Sequence, residues 1–281
     1  MFTLFACPKG FTDPQTAAIQ RKAIQSWCLL QPKPQILLLG DEPGLAEVCR
    51  EFDLEHVPHL ARTPTGTPLL SDVFRQAHLH AKYPILAYVN ADILISARLP
   101  AAIQKLAARW KKFLLVSSPH IVDFAEIVLR PDWEAEALDK ILCAPTTSGA
   151  DLFVFARGVF PRLPPLIVGR WHWDEWLMSH AVLRHIPVID GTRFVLTFHP
   201  RVALTSHLRP HTVYYSPAEK QQNRRIVGSL YWMPRRRVPY FLDAEGNLHS
   251  RYGRFPVTKL QLITYFLGLV RWVLGMRPGE G

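Results

Sequence analysis

Asn90-Ala91-Asp92 stands directly behind the apolar run Ile85–Val89, and that placement is the first chemical signal in the chain. A carboxylate at the end of a buried strand suits a hard divalent cation, which takes oxygen ligands and bridges phosphates. The same Asp92 is equally suited to cap the segment that follows it. Asp174 and Glu175 lie between Trp173 and Trp176. Either carboxylate could take a proton from a hydroxyl within hydrogen-bond reach, and indole walls raise such a pKa. Acids at a helix start are also favoured by the macrodipole alone. His199 follows the apolar stretch Phe194–Phe198 and offers either an imidazole ligand or a histidine bonded to backbone at a strand end.

The elements that must hold these residues alternate. Short apolar runs at Thr3–Ala6, Ile36–Leu39, Glu55–Pro58 and Ile85–Val89 read as strands. Between them, Gln15–Leu30, Leu45–Phe52 and Leu69–Ala81 carry helical spacing, the last opened by Gly66-Thr67-Pro68. Helices follow at Ala101–Arg109, Asp132–Leu142 and Trp173–His185, and strands at Phe113–Ser117, Asp151–Phe155, Val188–Ile189 and Phe194–Phe198. Continuous apolar strands alternating with helices predict an α/β fold, a mostly parallel sheet with helices on both faces. In such sheets ligands bind beyond the carboxyl ends of the strands. Pro8-Lys9, Gly40-Asp41 and Asn90-Ala91-Asp92 fall at those ends. No G-x-G-x-x-G and no Walker A pattern is present, which removes the main support for a dinucleotide or P-loop site.

Composition bounds the reading. The 281 residues are 48% hydrophobic and 20% charged, enough for a sizeable core. Cys7, Cys28, Cys49 and Cys143 match no zinc or redox spacing and read as reduced thiols of a cytoplasmic protein. The start of the chain lacks the pattern of a signal peptide. The net charge of +10 is unevenly spread: residues 1–200 hold 20 Lys/Arg against 19 Asp/Glu. Residues 201–240 hold Arg201, Arg209, Lys220, Arg224, Arg225, Arg235, Arg236 and Arg237 against Glu219 alone. Such a cluster is either a solvated face or a site for phosphates or a membrane surface. No nucleic-acid-binding signature accompanies it, so nucleic acid is not an expected partner.

Taken in order, several segments resemble the glycosyltransferases with the A-type fold, in the group of bacterial nucleotide-diphospho-sugar transferases related to family 2. Tyr88-Val89-Asn90-Ala91-Asp92-Ile93 resembles their Asp-x-Asp segment with Asn in the first position. Thr3–Lys9 resembles the first strand and nucleotide-contacting loop, and Leu39-Gly40-Asp41-Glu42 the acidic corner that often contacts the base. Gly66–Leu70 resembles the loop and helix before the Asp-x-Asp strand, Gly149–Phe155 the acceptor-side strand, and Gly169-Arg170 with Trp173–Leu177 the helix start that supplies the base of inverting members. Asp190-Gly191-Thr192 and Phe198-His199 complete the series, which spans residues 1–200.

The resemblance implies a Rossmann-like catalytic domain over residues 1–200 and a basic C-terminal extension over 201–281. It implies transfer of a sugar from a nucleotide-diphosphate donor to a hydroxyl of a glycan, glycolipid or cell-surface polymer precursor, with inversion. It places Pro8, Lys9, Asp41, Gly66, Thr67, Asn90 and Asp92 on the donor, and Asp151, Arg170 and Trp173 on the acceptor. It makes Asp174 or Glu175 the base, and Asp92 with His199 the ligands of Mn²⁺ or Mg²⁺. Asn90 leaves Asp92 as the single carboxylate of the motif, so nucleotide-sugar use is better supported than metal dependence. A nucleotidyltransferase, or a non-catalytic binder of sugar or nucleotide, is the alternative. The former wants a glycine-rich basic loop after the first strand, which Ala6–Gly10 matches poorly. Residues 258–274 form an amphipathic helix with a broad apolar face. It either packs on the core or, with the basic region, seats the enzyme peripherally on a membrane near a lipid-linked acceptor.

Overall fold

A computed structural model describes residues 1–124, 127–130, 132–145, 149–201, 216–228 and 234–252. The helix expected over 258–274, together with Arg209, lies outside the described residues.

The chain opens with β1 (Thr3–Ala6), α1 (Pro14–Cys28), β2 (Gln35–Leu39), α2 (Leu45–Phe52), β3 (Glu55–Val57), α3 (Leu70–His80) and β4 (Ile85–Val89). It continues with β5 (Leu94–Ile95), α4 (Leu99–Arg109), β6 (Leu114–Ser117), β7 (His120–Val122), α5 (Trp133–Asp139), β8 (Ile141–Cys143) and β9 (Leu152–Ala156). Then come α6 (Trp173–Leu183), β10 (Val188–Asp190), β11 (Thr197–Pro200), α7 (Pro217–Val227), β12 (Tyr240–Leu242) and β13 (Leu248–Ser250). Nine strands form one sheet in the order β13-β12-β10-β6-β9-β4-β1-β2-β3. All run parallel except β9, antiparallel to both neighbours, and the edge strand β13. From β1 to β3 the chain steps one way across the sheet, then returns past β1 to β4. Right-handed crossovers therefore put α1 and α2 on one face and α3 on the other.

Every residue of β1, β2, β4, β6 and β9 is buried, which is why these strands read as unbroken apolar runs rather than as alternation. An aromatic cluster fills the α3 side. Phe74 stacks on Phe155 at 5.4 Å and meets Phe5 edge-on at 5.3 Å. Tyr88 and Phe153 carry it to Trp173, at 5.4 and 5.2 Å. Truncating one such buried ring removes about 3–5 kcal/mol.

A second sheet, β5-β11-β7-β8, consists of strands of two to four residues. Runs that short leave no period to read. Two expectations are corrected here. The helix predicted over 132–142 ends at Asp139, because Ile141 and Cys143 pair with β7. The strand predicted over 194–198 moves to Thr197–Pro200, because Phe194 and Val195 donate back to the Gly191 carbonyl in a turn (2.9 and 2.8 Å). Residues beyond 200 join the main sheet, since β12 pairs in parallel with β10. Among the described residues, no helix is long and apolar enough to cross a membrane.

Candidate active site

The site is built where β4, β6 and β9 meet. Because β9 runs against its neighbours, its first residue lies level with the last residues of both, Leu152 opposite Val89 and opposite Ser117. Asp151 is thereby stitched between them. Its carbonyl accepts from the Asn90 amide and its own amide donates to Ser117, each at 3.0 Å. The Asn90 side-chain amide donates to Asp151 Oδ1 at 2.6 Å, so Asn90 is spent on orienting a carboxylate.

The small sheet brings in His199. Phe198 pairs with Leu94, which sets His199 beside the turn that carries Asp92. His199 Nε2 lies 3.5 Å from Asp92 Oδ2. Its Nδ1 is 2.7 Å from the Pro200 carbonyl, which can only accept, so Nδ1 carries a proton. A ring tied to a backbone carbonyl in this way offers its other nitrogen to a cation or a proton. Burial tends to raise the Asp92 carboxyl, but the bond to His199 and the charges of His199 and Lys9 outweigh it and hold the pKa below the ordinary value. Burial lowers His199, and Asp92 more than reverses this.

On the other side of Asp151 stands the start of α6. His172 takes the left-handed conformation (φ 78°) and turns the chain into the helix, with Asp174 and Glu175 in the first turn. Trp173, between them and His172, points into the aromatic core and anchors that turn. Asp174 is half-buried, while Glu175 is buried. Burial, and then the hydrogen bond with Asp174 and its nearby charge, raise the Glu175 carboxyl well above the ordinary range. Burial pushes Asp151 up to about 7, against the pull of His199 and with the help of the Asp92 and Asp174 charges. Gly149 makes room for this group: a Cβ there would lie 2.7 Å from Asp174 Oδ2. The Ser118 hydroxyl holds the Gly149 carbonyl.

The donor-side residues form a looser arc. Pro8 is buried and Lys9 exposed, the Lys9 backbone being clasped at both ends by the Gln20 side chain (2.7 and 2.9 Å). Asp41 is exposed and ion-paired with Arg62, which also reaches Glu42 at 2.9 Å and the Gly66 carbonyl at 2.8 Å. Gly66 sits at φ 87° in a tight exposed turn.

Three residues expected to contact ligand are placed otherwise. Thr67 and Arg170 are buried and both bond to Glu219 of α7. Trp173 is core, whereas Trp171, two positions earlier, is 58% exposed. Arg62 went unread, and Gly149 and Glu219 were noted without a site role, because none follows an apolar run. Only the fold brings them to the site.

Among the described residues, no three His, Cys, Asp or Glu side chains are grouped to hold a metal ion. Asp92 and His199 supply one anionic oxygen and one imidazole. That set fits a cation arriving with a diphosphate, whose oxygens complete the coordination.

No protein-family model and no curated protein matches the sequence. Among solved structures, the chain is similar to the mannosyltransferase PcManGT of Pyrobaculum calidifontis in complex with GDP-Man and Mn²⁺. There the identity is 14% over 99% of this chain and 76% of that one, with a TM-score of 0.46. It is similar to glucosyl-3-phosphoglycerate synthase of Mycobacterium tuberculosis with Mn²⁺, UDP and phosphoglyceric acid, at 11% identity over 88% and 85%, TM-score 0.48. It is also similar to residues 1–349 of S. aureus TarS with UDP-GlcNAc, at 11% identity and TM-score 0.37. That match covers 66% of this chain and 47% of the other, so the chain spans about half the length of that protein.

Proposed function

We propose that the protein is a glycosyltransferase that uses a nucleotide-diphosphate sugar and an acceptor hydroxyl. The observation that carries this reading is the gathering of Asp92, His199, Asp151 and Asp174 at the carboxyl ends of the strands, with His199 3.5 Å from Asp92 and Asp151 within reach of the charges of His199, Asp92 and Asp174. Asp41 and Lys9 line the arc where a nucleotide would lie. Asp92 and His199 would hold Mn²⁺ or Mg²⁺, whose contribution when bound is to neutralise the diphosphate leaving group.

Asp174 serves as the base. The acceptor oxygen forms its bond to the anomeric carbon as the bond from that carbon to the diphosphate oxygen breaks. The hydroxyl proton passes to Asp174, and the nucleoside diphosphate carries away the electron pair. A single displacement of this kind inverts the anomeric centre. Glu175, whose carboxyl is held towards the neutral form by burial, stands behind Asp174, which is the more exposed of the two. Asp151, oriented by Asn90, accepts from an acceptor hydroxyl. A glycan or lipid-linked acceptor would approach over Trp171.

The test is a thermal-shift panel of UDP, GDP, CDP, TDP and ADP, with and without Mn²⁺, on wild type and Asp92→Ala. At saturating ligand a real site stabilises the fold by roughly 2–4 kcal/mol. One nucleotide giving a metal-dependent shift that Asp92→Ala abolishes supports the reading. No shift with any nucleotide refutes it.

A further inference from the structure

The basic segment after residue 200 contains a helix whose two acid and amide side chains do something other than display charge. Glu219 of α7 is 5% exposed and Asn223 is fully buried. Glu219 accepts from the hydroxyls of Thr63 (2.8 Å), Thr65 and Thr67 (3.2 Å), and from the guanidinium of Arg170, whose Nε is 2.8 Å away. Asn223 accepts from the Ile167 amide at 2.8 Å and donates to the Ile167 carbonyl at 3.0 Å. Its amide also reaches the carbonyls of Arg170 and Trp171, each at 3.4 Å. Lys220 lies over the Trp171 ring, 3.1 Å from its centroid. The two strips that α7 grips are already joined to each other: the Leu70 amide donates to Leu166 at 2.7 Å and the Val168 amide to Pro68 at 3.1 Å.

One strip is the donor-side turn at Thr63–Thr67. The other runs directly into His172 and the Asp174–Glu175 turn. A helix that needed only to be anchored would bury apolar side chains, as most docked helices do. Here, beside the apolar anchor Val227, a carboxylate and a carboxamide are buried as well, with a polar partner for each, and burying them is favourable only in a geometry that satisfies all of them at once. That makes the contact exacting about where the chain before Asp174 lies.

We propose that α7 is a clamp on the catalytic turn, with Glu219 and Asn223 as positioning residues that fix the approach to Asp174 and tie it to the donor-side hairpin. This rests on the reading of Asp174 as the base. Asn223 touches only the strip before α6, whereas Glu219 touches both strips, so the two side chains have distinguishable effects. Misplacing a reacting group by an ångström costs about a hundredfold in rate.

The experiment pairs steady-state kinetics with hydrogen exchange on the full chain, for wild type, Asn223→Ala, Glu219→Gln and Glu219→Ala. Release of nucleoside diphosphate from the donor is the kinetic readout. For Asn223→Ala, kcat should fall about ten- to hundredfold with donor KM within about twofold of wild type. Glu219→Ala should lower kcat and raise donor KM together. Glu219→Gln, which keeps one acceptor oxygen for Thr63 and Thr65 but turns a donor towards Thr67 and Arg170 and loses the ion pair, should recover part of both. Amides of residues 166–174 should exchange faster in each variant while those of β1, β4 and β9 stay protected. Unchanged exchange over 166–174 overturns the clamp, and so does faster exchange with kcat unaltered. Should Asn223→Ala fail to fold, Glu219→Gln carries the same test. A wild type that binds no nucleotide overturns the functional reading instead, and the exchange data then decide by themselves whether α7 orders the turn.

Discussion

Asp92 and Glu175 are carboxylates on the same side of one sheet, yet their surroundings drive them in opposite directions. Asp92 faces His199 across 3.5 Å, feels the charge of Lys9 and is partly open to solvent. Glu175 is buried beside another acid, with its Oε2 lacking a hydrogen-bond partner. The first environment favours the anion and the second the neutral acid. The pair teaches how one group of strand-end residues can favour an anion at one end and a neutral acid at the other.

Removing the base should separate the two ends most sharply. Asp174→Asn is expected to reduce sugar transfer by about 10²–10⁴-fold. The nucleotide-induced thermal shift should be unchanged, which calorimetric titration of the nucleotide would check. At the other end, Asp92→Asn should lower donor turnover by about 10²–10³-fold. Chelation of divalent metal should bring wild type to the same level and leave the variant unaffected, as rates with and without EDTA would establish.

A steric change should break the arrangement without altering any charge. Gly149→Ala places a methyl against Asp174 Oδ2. The expected result is a fall in kcat of about tenfold, with Tm little altered.

The smallest effect concerns Glu175 and stability. Its folded-state pKa is raised, so below the ordinary glutamate value of 4.5 folded and unfolded chains are both protonated there and nothing is lost. As the pH climbs above that value the unfolded chain ionises while the folded one keeps its proton, and wild-type stability falls. Glu175→Gln removes this penalty. Its Tm advantage over wild type should grow from pH 5 towards pH 9 in thermal melts across that range. A gap independent of pH would place an ionised Glu175 in the folded state.

How far the sequence alone reached can be followed residue by residue. The strands β1, β2 and β4 and the helices between them were legible because strands buried on both faces must be apolar throughout, and because turn residues bound them. The position of Asp92 followed from the end of β4. His199 was found as a histidine after an apolar run, although it lies within β11, which is shifted from the strand expected. The direction of β9 was not legible, since hydrophobicity carries no sign of orientation. It is that antiparallel course that sets Asp151 beside Asn90. Arg170 and Thr67 were assigned to ligands through the resemblance of their segments. Their partner Glu219 is 49 and 152 residues away, a separation no local pattern encodes. Trp171 and Trp173 differ in nothing that spacing reveals, and only the left-handed turn at His172 sends one to solvent and the other to the core.

What the sequence by itself determined, then, is the alternation of elements and the chemistry gathered at the strand ends. Burial selects residue type locally, so the choice is written where it is made. What the tertiary structure decided is the protonation of each carboxylate and which polar side chains remain available. Those depend on desolvation and on charges brought together from distant parts of the chain, and both come into being only when it folds.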